Sequence, residues 1–113
     1  MTIRIYHNPR CSKSRATLAL LEERGIEPEI VRYLDDPPGA DELRELLTLL
    51  GRSPRELARR GEEAWRSLEL ADADEETIFQ AMVNHPKLIE RPIVVNGDRA
   101  ALGRPPETVL EIL

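Results

Sequence analysis

The 113-residue chain holds one cysteine, Cys11, within YHNPRCSKSRATL (residues 6–18). A lone thiol either fills a small apolar space or acts as a nucleophile. Residues 7–15 carry no apolar aliphatic side chain, which argues against a core position. The nucleophile has a mechanism. Cys11 falls where a β-branched run gives way to a helical segment, so it meets a helix N-terminus. Unpaired N–H groups and the helix dipole favour an anion there and depress a thiol pKa. The same N–H groups form a cradle for a bound oxyanion. Arg10, Lys13 and Arg15 add positive charge, and Ser12 or Ser14 is available to donate a hydrogen bond to the sulfur. Ser14 stands where a CxxC motif would hold its second thiol, so Cys11 cannot cycle through a disulfide within the chain. The interval from Cys11 to Arg15 is too short for a phosphatase loop. The expected chemistry is attack by a thiolate beside an anion site.

Composition narrows the classes. Sixteen Lys and Arg against 21 Asp and Glu give a net charge of −5, so no nucleic-acid partner is expected. Of the cations only Lys13 and Lys87 are lysine, and arginine is the residue suited to forked contacts with oxyanions. No segment approaches the ~20 apolar residues of a membrane span. MTIRIYHNPR reads as a strand and turn rather than a signal peptide, so a cytoplasmic location is expected and no membrane partner. One cysteine and two histidines at these spacings form no metal cluster, so neither a metal nor a bound cofactor is expected.

The elements that position Cys11 follow from periodicity. IRIYH (3–7) predicts a strand, NP a turn, and Ser12–Arg24 a helix with Leu18 and Leu21 on one face and Gly25 as its stop. EIVRYL (29–34) predicts a second strand, parallel to the first through a right-handed crossover. After DDPPGADE comes a helix whose Leu43, Leu46, Leu47 and Leu50 form one stripe, closed by Gly51. SPRE (53–56) is a capping box for a third helix. DADE (72–75) repeats that logic for a fourth, which sends Ile78, Phe79, Met82 and Val83 inward and ends before Pro86. Trp65 is expected as a packing anchor and His85 as a helix-end residue. RPIVVNGDRAALGRP (91–105) predicts a hairpin turning at Asn96-Gly97, and PPETVLEIL a last helix.

That order predicts an α/β fold: a thioredoxin-like four-stranded mixed sheet flanked by helices, with an inserted helical lobe at about 40–84. The whole of 1–113 is expected to be a single thioredoxin-like domain. Cys11 then takes the place of the reactive thiol of such folds, and Pro92 that of the cis-proline facing it.

YHNPRCSKSRATL, RPIVV and LGRPPE together resemble the glutaredoxin-coupled arsenate reductase family, a thioredoxin-fold group that also includes the regulator Spx. The similarity runs from Thr2 to Leu113. It implies that Cys11 attacks arsenate while three arginines hold the oxyanion. Arg91 and Arg104 match two of them. The third falls in ELARRGE, with Arg59 aligning best and Arg60 its rival. His7 matches a histidine that helps set the thiolate's protonation, and Ser14 and Arg15 match the end of the loop. Ser12-Lys13 stands where the best-matched reductases have Gly-Thr, which is the CSKSR branch of the family. Arsenate reduction takes two electrons, and one thiol cannot supply them. The resemblance therefore implies glutathione as thiol co-substrate and glutaredoxin as the partner that clears the mixed disulfide. Two alternatives accompany it: a thiol oxidoreductase acting on glutathione mixed disulfides or another oxyanion, and a Spx-like regulator that binds RNA polymerase.

Overall fold

Short β-branched and aromatic runs build a four-stranded sheet in the structure, a computed structural model that describes residues 2–113. β1 (Ile3–Tyr6) lies between β2 (Glu29–Val31), parallel to it, and β3 (Ile93–Asn96), antiparallel to it. β4 (Arg99–Leu102) pairs antiparallel with β3 and completes the order β2-β1-β3-β4. The register aligns Ile5 with Val94 and Val94 with Ala101, one apolar row across the sheet. That row packs with Leu21, Val109 and Ile112 into a buried core, with Ile3, Leu18 and Ile26 at its margin. Leu18 and Leu21 belong to α1 (Ser12–Glu23), where a three-residue spacing keeps them on one face. Gly25, at φ 76°, lets the chain leave that helix. The mixed sheet with flanking helices is the expected α/β, thioredoxin-like architecture.

The chain folds as two units: one comprises the residues through Asp36 together with Arg91–Leu113, the other Pro37–Glu90. In the second unit, α2 (Ala40–Leu50) buries Leu43, Leu46 and Leu47. α3 (Pro54–Leu57) starts from the expected capping box. Ser53 Oγ accepts from the Glu56 N–H at 3.2 Å, and the Glu56 carboxylate accepts from the Ser53 N–H at 2.8 Å. α4 (Glu63–Ser67) buries Trp65. α5 (Glu75–Asn84) contacts α2 and α3 and buries Ile78, Phe79 and Met82.

Several boundaries move, each for a local reason. The second strand stops at Val31, because the Arg32 carbonyl accepts from the Asp35 and Asp36 N–H groups at 2.9 Å and turns the chain. α3 has a single turn, since Ala58 is extended and bridges Ile89. The helix expected after Asp72 begins after Asp74 instead. Leu70–Asp72 forms a 3-10 turn, and the Asp74 side chain accepts from the Thr77 N–H at 2.7 Å. Leu50 and Val83 are half-buried. The hairpin turns on Gly97-Asp98, one residue later than expected. Asn96 stays in the ladder opposite Arg99 and donates from Nδ2 to the Ile112 carbonyl at 2.7 Å, while Gly97 supplies φ 64°. The last helix is a 3-10 segment, Pro106–Ile112.

Candidate active site

Strand register decides which distant residues meet. Tyr6 pairs with Ile93, and Ile93 with Leu102. The segments that continue past these pairs therefore emerge at one end of the sheet: the loop from His7, the Arg91-Pro92 step and Gly103-Arg104. His7 extends the ladder by donating its N–H to the Val31 carbonyl at 2.8 Å.

Asn8 folds the loop. Its carbonyl accepts from the Cys11 N–H and its Oδ1 from the Arg10 N–H, both at 3.0 Å. This turn delivers Cys11, extended at φ −93° and ψ 125°, to the N-cap of α1, where its carbonyl accepts from the Arg15 N–H at 3.0 Å. No acidic residue in the first turn opposes an anion there. The thiol is half-buried. Burial pushes its pKa up, but the Ser14 N–H, the Arg91 charge, the Lys13 N–H and the Arg104 charge outweigh burial and hold the thiol below its ordinary value. The amides act on the sulfur as dipoles, without a side-chain capping hydrogen bond.

The helping groups differ from those expected on the loop. Ser14 acts through its amide, not its hydroxyl. The charges that matter come from Arg91 and Arg104. Arg15 is exposed and donates from Nη1 to the Pro9 carbonyl at 3.2 Å, bracing the loop, while Arg10 and Lys13 are exposed.

Part of the loop is buried despite its lack of aliphatic side chains. Ser14 Oγ lies 2.6 Å from His7 Nδ1 and accepts from the Asn8 N–H at 3.0 Å. Burial is the main reason the His7 pKa falls below the usual 6.5, and the Arg32 and Arg15 charges act in the same direction. The His7 imidazole thus pins the residue whose amide acts on the sulfur.

Arg91 is buried at 9% exposure, and its peptide bond to Pro92 is cis, as is that from Arg104 to Pro105. Arg104 Nη1 donates to the Arg91 carbonyl at 3.0 Å, which ties the two arginines together. Beside them the Gly103 N–H donates to the Pro92 carbonyl at 2.8 Å. A Cβ on Gly103 would lie 2.5 Å from Thr17 Oγ1 and 2.7 Å from Pro92 Cγ. Only glycine lets the end of β4 come so close to α1 and Pro92. Gly103 carries no motif of its own in the sequence, and its one signal was its position before Arg104 in LGRP.

Arg59 belongs to the helical unit. There its Nη1 lies 3.2 Å from Glu62 Oε2 and its Nε 3.5 Å from Glu90 Oε1. Arg60 is exposed. Among the described residues no cluster of His, Cys, Asp and Glu is arranged to hold a metal, and no helix is long and apolar enough to cross a membrane.

A thioredoxin-like fold whose one thiol is held below its ordinary pKa by two arginine charges defines a class of thiol-dependent protein. The ArsC family model matches residues 6–112, and the chain belongs to that family. It is 58% identical over 114 residues to the uncharacterized protein YfgD of Escherichia coli K12, covering 98% of this chain and 96% of the relative. It is 51% identical to an arsenate reductase of Haemophilus influenzae, covering all of both chains. The solved structure of an arsenate reductase from Vibrio cholerae superposes with a TM-score of 0.96 at 52% identity, over 100% of this chain and 98% of that one.

Proposed function

We propose that this protein reduces arsenate to arsenite, with Cys11 as the nucleophile and an external thiol as the reductant. The observation that carries the reading is a thiol held below its ordinary pKa at a helix N-terminus by Arg91 and Arg104. Relatives named arsenate reductase support the substrate. The Cys11 thiolate attacks arsenic(V), forming an S–As bond and releasing one arsenate oxygen as water. A glutathione thiolate then attacks Cys11 Sγ. The S–S bond forms, the S–As bond breaks, and its electron pair stays on arsenic, which leaves as arsenite after taking up a proton. Two sulfurs lose one electron each and arsenic gains two. Glutaredoxin returns Cys11 to the thiol by accepting the glutathionyl group.

Arg91 and Arg104 are the proposed oxyanion ligands together with the Lys13 and Ser14 amides. Arg59 enters as the third arginine on the resemblance alone, with Arg60 its rival. His7, Ser14 and Arg15 hold the loop in the shape the attack requires. Dependence on reduced glutathione makes the cytoplasm the proposed location.

The test is arsenate-dependent NADPH oxidation coupled through glutathione, glutaredoxin and glutathione reductase. Turnover by the wild type that is lost in Cys11→Ser is the expected result. A wild type that alkylates rapidly at Cys11 yet oxidises no NADPH with arsenate would overturn arsenate as the substrate.

A further inference from the structure

The register that presents the Cys11 loop brings a second element to the same end of the sheet, because Tyr6 and Val31 pair in parallel. There the loop His7–Arg10 and the residues Arg32, Leu34 and Asp35 enclose an open cleft of about 270 Å³. Small-ligand sites of this kind begin at roughly 300 Å³. Neither Arg91 nor Arg104 lines it, so an oxyanion held by those residues leaves the cleft free.

The charges around the cleft point to a ligand. Arg10, Arg32 and Asp35 are exposed and form no ion pair among the described residues, although Arg32 and Asp35 are opposite in sign and three apart. Pro9 and Leu34 add an exposed apolar surface between them, with Leu34 at 39% exposure. Two cations, one carboxylate and an apolar strip complement a small peptide with two carboxylates and one ammonium. Glutathione has that charge pattern.

Resting on the reading of an external thiol given above, we propose that this cleft is the binding site of the glutathione-class tripeptide thiol. Arg10 and Arg32 take its two carboxylates and Asp35 its ammonium. The cleft wall and the nucleophile share one loop. Arg10 adjoins Cys11, and the Asn8 carbonyl holds the Cys11 N–H. A thiol seated there attacks Cys11 Sγ of the arsenic adduct as balanced above, with no further reagent.

S-methylglutathione, which lacks the reactive thiol, tests binding apart from turnover. Titrated into isotope-labelled protein, it should shift the amide resonances of Asn8, Arg10, Arg32, Leu34 and Asp35 saturably, and Arg32→Glu should weaken that response. In steady state Arg32→Glu should raise KM for glutathione about tenfold, the change that about 1.4 kcal/mol produces. KM for arsenate should not move, nor should KM for 2-mercaptoethanol, which carries none of the charged groups. Asp35→Asn should raise the glutathione KM as well, and it serves if Arg32→Glu fails to fold. Intact arsenate turnover with no shifts in the cleft, or with an unchanged glutathione KM in these variants, overturns the site. Shifts in the cleft without arsenate turnover uphold the site and overturn the arsenate reading instead.

Discussion

The two units differ in what they bury: the sheet unit takes polar side chains into its interior, and among the described residues the helical unit buries none. In the sheet unit His7, Ser14, Thr17 and Arg91 are buried, and these are the buried polar residues of the described chain. All belong to the loop after β1, the first turns of α1 or the step before β3. In the helical unit the ion pairs lie at or near the surface: Arg44–Glu76 at 2.8 Å, Arg55–Glu75 at 3.5 Å and the contacts of Arg59. Such pairs contribute about 0–1 kcal/mol each. The helical unit therefore rests on its apolar stripes and caps. Burying a polar group is costly unless it is hydrogen-bonded, so such groups collect only where something needs them. In this molecule Ser14 and Arg91 act on the thiol, His7 holds Ser14, and Thr17 packs beside Gly103. The contrast locates the working end of the chain without reference to any relative.

The contrast breaks most visibly at Cys11. Cys11→Ser should lower arsenate turnover by about a thousandfold or more, the scale of losing a nucleophile. Its melting temperature should stay near that of the wild type, because serine is itself a good N-cap residue. A large loss of stability would mean that the thiol is structural. Gly103→Ala comes next, with an expected cost of about 1–3 kcal/mol from forcing a methyl group against Thr17 and Pro92, read by thermal or urea unfolding. A neutral outcome there would show that the end of β4 adjusts freely.

Arg104→Ala should raise KM for arsenate about tenfold, as removal of one charge-assisted contact does. It should also slow alkylation of Cys11 by iodoacetamide at neutral pH, since one cause of the depressed thiol pKa is gone. In the helical unit, Ser53→Ala removes one half of a capping box. It should cost about 1 kcal/mol of stability and leave the alkylation rate of Cys11 unchanged. A changed alkylation rate would contradict the division of roles between the units.

The smallest expected effect is in pH. The folded His7 pKa lies below 6.5, chiefly through burial, so the unfolded chain binds the proton more readily. The stabilising contribution is therefore complete above about pH 6.5 and is lost as pH falls through the folded pKa. Melting temperature should drop on acidification below that point, and less so in His7→Gln. Identical pH profiles for the two proteins would mean that His7 does not titrate as its burial requires.

The periodic elements were legible in the sequence. Leu43, Leu46 and Leu47 announce their buried stripe, Ser53-Pro54-Arg55-Glu56 its capping box, and Gly25 and Gly51 the ends of their helices, because these signals act within a few residues. The loop around Cys11 was legible as a nucleophile for the same reason: a thiol at a helix N-terminus is a local arrangement. Boundaries set by competing local bonds were less so. Asp74 takes the cap in place of Asp72, and Asn96 stays in the strand because its side chain reaches Ile112. Within the site, chemistry alone assigned positive charge to Arg10, Lys13 and Arg15, the neighbours in sequence. The resemblance carried by RPIVV and LGRPPE pointed to Arg91 and Arg104, but how their charges come to act on the sulfur is settled by tertiary structure. Their approach depends on the pairing of Tyr6 with Ile93 and of Ile93 with Leu102, and on a glycine at 103 that admits close contact. The sequence by itself determined the thiol, the helix that activates it and the strands that flank it, since each depends on near neighbours. Which distant cations reach the thiol, and which polar side chains are buried beside it, depended on strand register and packing, which are properties of the whole sheet.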